Sequence, residues 1–174
     1  MEKAVRTYCG RAIINTASAD SDRMEDMIKL AAKYGAVIIL LPFIGKSQMD
    51  MQDRKDGLEK LISCCDKYGI QKSQVLVDGV VMAVSTDTQS ALNTLEFIKW
   101  CTRQGYMTTG GVSNISFGLP NKKEINNIFL AQMLSAGLKT GIVHVNKETK
   151  SIISASYLLS GKDEWCMNWI EEMG

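Results

Sequence analysis

Short apolar runs of strand length alternate with longer amphipathic segments along this chain, and that alternation constrains the fold more than any other feature of the sequence. Residues 11–17 contain Ala12-Ile13-Ile14-Asn15 and read as a buried strand. A helix is expected over 20–34, with Met24, Met27, Ile28 and Ala31 at helical spacing, Asp20 or Ser21 as its cap and Gly35 as its stop. Residues 36–42 form a second buried strand, followed by a helix over 51–68 whose Leu58, Leu61, Ile62 and Cys65 share a face. A third strand, 74–82, carries Asp78 inside an otherwise apolar run. A third helix is expected over 86–104, a fourth strand over 107–113, a fourth helix over 122–138 and a short fifth strand over 141–145. From about residue 148 the chain reads as two helical pieces broken near Gly161.

Strands that alternate with helices imply a parallel sheet with crossover helices. The unit recurs every ~30–35 residues, the size of one βαβ unit. The 174 residues suffice for a sizeable core, and 1–174 reads as a single domain. A closed barrel of such units typically needs ~250 residues. Five strands therefore make either a complete open doubly wound sheet or part of a barrel, and composition and periodicity do not choose between them.

Composition removes several classes. Lys plus Arg number 20 and Asp plus Glu 19, a net charge of +1, without the basic excess of a dedicated nucleic-acid binder. The five cysteines include the adjacent pair Cys64-Cys65 and no CxxC spacing, which argues against a disulfide framework and a zinc site. Reduced thiols in a cytoplasmic protein are the simpler reading, with one of Cys64 and Cys65 buried and the other partly exposed. His144 is the sole histidine, and no metal is expected. The longest apolar run, 36–43, is too short to cross a bilayer. Met1 leads into Glu2, Lys3 and Arg6 and not into the apolar stretch of a signal peptide. Neither nucleic acid nor membrane is an expected partner.

Three polar residues stand at or inside strands: Asn15, Asp78 and Asn114. In parallel α/β folds ligands bind beyond the carboxyl ends of the strands, so three such side chains can converge on one small molecule. Each alone has a structural explanation: Asn15 as a strand-end turn former, Asp78 before Gly79 as a turn residue or helix cap, Asn114 as an Asx-turn. On successive strands they support the ligand reading as strongly as the structural one.

The segment from Gly110 to Pro120, Gly-Gly-Val-Ser-Asn-Ile-Ser-Phe-Gly-Leu-Pro, resembles the Gly-x-Ser-Asn-x-Ser-Phe-Gly-Leu-Pro motif of the methyltetrahydrofolate:corrinoid methyltransferase family. That family includes the folate domain of cobalamin-dependent methionine synthase. The likeness continues through Asn126, Phe129, Leu130 and Ala136-Gly137-Leu138. Upstream, Ile13-Ile14-Asn15-Thr16 is similar to the family's Ile-Asn-Ser strand end. Val77-Asp78, with Ser85-Thr86-Asp87 beyond it, is similar to its Asp-Pro strand end and downstream Thr-Asp.

The resemblance covers nearly the whole chain but the later part of the family's domain. It implies an α/β fold: an incomplete (β/α) TIM-type barrel resembling strands four to eight of a pterin-binding barrel, with residues 1–10 as the end of the third helix. The first three strand–helix units, and one pterin-binding carboxylate within them, are expected to be absent. The implied reaction moves a methyl group between N5 of tetrahydrofolate or methyltetrahydrofolate, the substrate, and a corrinoid (cobalamin) carried by a partner protein. The implied catalytic residue is Asn114; the implied substrate-binding residues are Asn15, Asp78, Gly111, Ser113, Lys122 and Ile142. Three departures stand out: Gly79 where the family usually has Pro, Lys122 where it often has Arg, and His144 where a strand usually ends in Asp.

These residue types suit that chemistry. A pterin presents an amino group and a ring N–H side by side, and a carboxylate such as Asp78 accepts both. Asn15 offers a donor and an acceptor to the mixed edge of the same ring. Asn114 can hydrogen-bond N5 and strengthen that contact as charge changes there, without adding a competing negative charge. A dihydropteroate synthase would need a Ser-Arg-Lys-type motif where this chain has Ser113-Asn114-Ile115-Ser116. The alternative is a truncated barrel, catalytically weak or inactive, that serves as a pterin-binding or assembly subunit. Open sheet edges would make the chain a homo-oligomer or the partner of a polypeptide supplying the missing strands.

Overall fold

The two central strands, 37–41 and 75–78, are built almost wholly from Val, Ile and Leu because both of their faces are covered. A computed structural model describes residues 1–173, with side chains up to Glu172. Helix α1 (Glu2–Thr7) precedes β1 (Ile13–Ser18), α2 (Met24–Tyr34), β2 (Val37–Leu41), α3 (Met51–Lys67) and β3 (Val75–Asp78). Then come α4 (Ser90–Arg103), β4 (Met107–Thr109), α5 (Lys122–Ala136), α6 (Lys147–Leu159) and α7 (Met167–Met173). The strands pair in parallel in the order β1-β2-β3-β4. Each strand lies beside its predecessor with no reversal, which is the winding of a barrel; a doubly wound sheet reverses part-way. The sheet is thus an arc of a (β/α) barrel.

Alternate residues of the strands, Ile14, Ala17, Ile38, Leu40, Val75 and Val77, pack against α2, α3 and α4 in the main core. A second cluster around Ile98, Val112, Ile115, Phe129 and Met133 seats α5. Among the described residues no helix is long and apolar enough to cross a membrane. All five cysteines are free thiols, and Cys64 and Cys65 are both buried, so the expectation of one partly exposed partner does not hold. Both lie on the side of α3 that joins the main core, against β2 and the neighbouring helices.

Several boundaries differ from expectation for identifiable reasons. Helix α2 starts at Met24 without a side-chain cap. Asp20 instead accepts from the Ser18 hydroxyl, and the Ser21 hydroxyl accepts from the Arg23 N–H within a turn. Strand β3 stops at Asp78 because the Val80 N–H turns back to its carboxylate. Helix α4 starts only at Ser90, whose hydroxyl donates to the Met82 carbonyl at 2.5 Å. Strand β4 ends at Thr109, before a 3₁₀ turn over Val112–Ser116. The expected fifth strand is reduced to one parallel bridge between Gly111 and Ile142.

Helix α3 is fixed tightly to the sheet. Asp50 and Asp53 form a capping box at its N-terminus, with the Asp53 N–H donating to Asp50 at 2.8 Å. At Gly57 a Cβ would lie 2.5 Å from the Pro42 carbonyl oxygen, just beyond β2. Gly57→Ala should therefore force α3 off the sheet and destabilise the protein by about 1–3 kcal/mol. A lowered urea midpoint with unchanged slope is the expected result.

Candidate functional site

The site is assembled from a bulge in β1, the end of β3 and the turn beyond β4. Between Ile14 and Ala17, β1 advances three residues while β2 advances two, from Ile38 to Leu40. The extra residue is a β-bulge, a device that re-aims side chains. It falls on Asn15-Thr16. The Thr16 hydroxyl donates to the Ile39 carbonyl at 2.7 Å, and Asn15 is left exposed. Asp78 is the last residue of β3. Beyond β4, the Ile142 N–H donates to the Gly110 carbonyl at 3.0 Å and the Asn114 N–H to the Gly111 carbonyl at 3.2 Å. A Cβ on Gly111 would stand 3.2 Å from the Asn114 side-chain nitrogen, so this glycine gives the amide its space.

Asn15, Asp78 and Asn114 line one cavity of about 250 Å³, together with Thr16, Leu41, Phe43, Val80, Val81 and Met82. Ser113 and Ile142 line a neighbouring cavity of about 470 Å³ against α5, with Asn126 and His144. Lys122 is in neither lining; its ammonium lies 5.9 Å from the centre of the exposed Phe117 ring. The expected site residues are thus divided: the substrate-binding Asn15 and Asp78 share one cavity with the catalytic Asn114, Gly111 shapes it through Asn114, and Ser113, Ile142 and Lys122 lie outside it. Gly79 differs from the family's proline usefully. Its N–H donates to the Thr109 carbonyl at 2.9 Å, a bond no proline could make.

Arg54 is the residue that sequence reading passed over. It is fully buried, and its Nη1 donates to the Gly79 carbonyl at 2.5 Å and the Val80 carbonyl at 2.8 Å. The signal was available in the spacing: Arg54, Gly57, Leu58 and Leu61 form one buried stripe of α3. A charged residue inside an apolar stripe needs a partner. Burial pulls the guanidinium down to about 10, with Asp87 and Asp78 opposing, so it stays charged at neutral pH.

Burial pushes the Asp78 carboxyl up to about 6, against the Val80 N–H at 2.8 Å and the Arg54 charge. Because its folded value lies above the ordinary 3.8, the ionised form costs stability. That cost is absent below the ordinary value, grows as pH rises, and is complete above about 6. Asp78→Asn retains an acceptor for Val80 and should be more stable than the parent by about 1–3 kcal/mol at alkaline pH. The difference should vanish in acid, as followed by thermal unfolding across pH.

Residues 1–144 match the family described as Pterin binding enzyme. Methionine synthase of Mycobacterium leprae is 30% identical over 153 residues, which cover 79% of this chain and 13% of that protein. The methylcorrinoid:tetrahydrofolate methyltransferase of Eubacterium limosum is 25% identical over 175 residues, 96% of this chain and 64% of that one. The chain therefore spans less than two thirds of either relative. Among solved structures, a dihydropteroate synthase of Coxiella burnetii in complex with pteroic acid superposes with a TM-score of 0.67 at 15% identity, over 91% of this chain and 70% of that one. The Yersinia pestis enzyme with a pterine–sulfa conjugate gives 0.66 at 16%, over 92% and 72%. At such identities the likeness speaks for the fold, the pterin-binding (β/α) barrel. With its strand order, its strand-end cavity and a sequence match over most of its length, the chain belongs to the pterin-binding enzyme family.

Proposed function

We propose that this chain binds methyltetrahydrofolate or tetrahydrofolate and serves methyl transfer between its N5 and a corrinoid on a partner protein. The observation that carries the reading is the single cavity shared by Asn15 from the bulge in β1, Asp78 from the end of β3 and Asn114 from the turn beyond β4. The relatives named as methionine synthase and methylcorrinoid:tetrahydrofolate methyltransferase support folate-related methyl transfer over the other chemistries of the fold. At about 250 Å³ the cavity is smaller than most small-molecule sites, which run ~300–1,000 Å³. It suits one ring system whose tail remains in solvent.

In this reading Asp78 accepts the amino group and ring N–H of the pterin. One of its oxygens already accepts from the Val80 N–H, which leaves lone pairs on both for the ligand. Asn15, freed by the bulge, meets the mixed edge of the ring. Asn114 hydrogen-bonds N5 and supports it as its charge changes; an amide holds a proton in place without surrendering its own. Cobalt of the partner-borne corrinoid supplies the methyl-accepting or methyl-donating centre, and this chain's residues bind and orient the folate. Ser113, Ile142 and Lys122 are proposed to act on more distant parts of the substrate, outside the ring cavity.

A second reading has its own observation. Strand β1 is an edge of the sheet among the described residues, and its Ile13 is 59% exposed. Exposed edges pair with other chains, so a pterin-binding or assembly subunit, as a homo-oligomer or with another polypeptide beside β1, is the alternative.

Titration with methyltetrahydrofolate and assay with a methylated or reduced corrinoid protein separate the two. Asp78→Ala should weaken folate binding roughly tenfold or more, as loss of a charge-assisted pair predicts. Asn114→Ala should chiefly lower kcat. Small, equal effects of both on a measurable activity would count against the assignment. Light scattering over a dilution series should reveal self-association; a monomer with full folate affinity would remove the second reading.

A further inference from the structure

Two nitrogens of Arg54, Nε and Nη2, are buried without a hydrogen-bond partner. A buried guanidinium that leaves donors unpaired is costly, and an apolar side chain at the same position of α3 would be cheaper. What the arginine does make is specific. Its Nη1 bonds the two carbonyls that immediately follow Asp78, those of Gly79 and Val80. Val80 is a β-branched residue held at φ +54°, a conformation it adopts only when its surroundings over-determine it. Those surroundings are Arg54 and Thr94, whose hydroxyl donates to the same Val80 carbonyl at 3.1 Å. The Val80 N–H then donates to Asp78. A continuous chain of bonds runs from α3 through one strained peptide to the carboxylate in the cavity wall. The helix that carries Arg54 is itself fixed, by its capping box and by the contact of Gly57 with Pro42.

We propose that Arg54 is the positioning residue of the pterin site: by gripping the Gly79 and Val80 carbonyls it sets the stance of the Asp78 carboxylate without touching the ligand. The proposal rests on the folate reading above and deepens it. The charged groups that act on Arg54 are Asp87, Asp78, Asp50 and Asp53; on Asp78 they are Arg54 and the Val80 N–H dipole. Arg54 therefore supplies geometry and favourable charge.

The test uses Arg54→Met, Arg54→Lys and Thr94→Val with two readouts. One is the Kd for methyltetrahydrofolate by calorimetry from about pH 5 to 8, across the range in which Asp78 ionises. The other is the titration of the Asp78 carboxyl, followed by NMR in ligand-free protein. Arg54→Met should raise Kd roughly tenfold or more and move the Asp78 midpoint upward. Arg54→Lys should keep that midpoint near the parent's while still weakening binding, because an ammonium lacks the planar fork of a guanidinium. Thr94→Val should weaken binding more mildly with the midpoint unmoved. A folded Arg54→Met variant with the parent's Kd and the parent's Asp78 midpoint would overturn the proposal. If Arg54→Met does not fold, unchanged Kd in both Arg54→Lys and Thr94→Val would overturn it. If the parent chain binds no folate, the folate reading falls, and the Asp78 midpoint in the folded variants still decides what Arg54 does.

Discussion

The parallel ladder governs everything at this site. Because β1 to β4 run the same way, their carboxyl ends reach one rim, and each strand must give up its ladder partners there. The groups released at those ends need other partners, and the polar residues of the site provide or occupy them. Asp78 takes the Val80 N–H past the end of β3, and the Asn114 N–H closes a tight turn on the Gly111 carbonyl beyond β4; within the sheet, the bulge in β1 lets Thr16 take the Ile39 carbonyl. Termination of the sheet and construction of the cavity are one event. Beneath the rim, the apolar core of Ile38, Leu40, Val75 and Val77 holds the strand ends in register.

The departures from ordinary folding preferences gather at the same place. A carboxylate is partly buried and disfavoured in its charged form, a β-branched residue is left-handed, and a guanidinium has unpaired donors. Several helix ends follow ordinary preference: α3 has a proper capping box, and α2 and α5 end in left-handed glycines. Asn121, Trp165 and Cys166 are left-handed away from the rim, but among the described residues only at the rim does such a residue adjoin a buried carboxylate and a buried guanidinium, the pattern expected where stability is given up for binding.

Sequence periodicity disclosed the strands and helices because burial on a sheet or under a helix repeats regularly along the chain. It also pointed to Asn15, Asp78 and Asn114 as polar residues at or inside strands, and the cavity does bring these three together. The winding of the sheet was not readable, since strand order is a matter of pairing and not of pattern. Nor was the loss of the fifth strand: residues 141–145 are as apolar as a strand, but Gly110 and Gly111 end β4 before a full ladder can form beside it. Ser113 and Ile142 were grouped with the others by motif, yet successive residues of the 3₁₀ turn face different cavities. Arg54 escaped because its partners are backbone carbonyls 25 and 26 residues away, and backbone atoms leave no mark on side-chain composition.

The close seating of Gly57 has a mechanical side. With the Pro42 carbonyl where a side chain would begin, there is no slack between α3 and the loop after β2. Arg54, one turn earlier, ties the same helix to the loop after β3. Helix α3 is therefore a rigid crossbar between two walls of the cavity, and neither wall can shift alone. A force on the Asp78 turn is passed through α3 to the loop that carries Phe43.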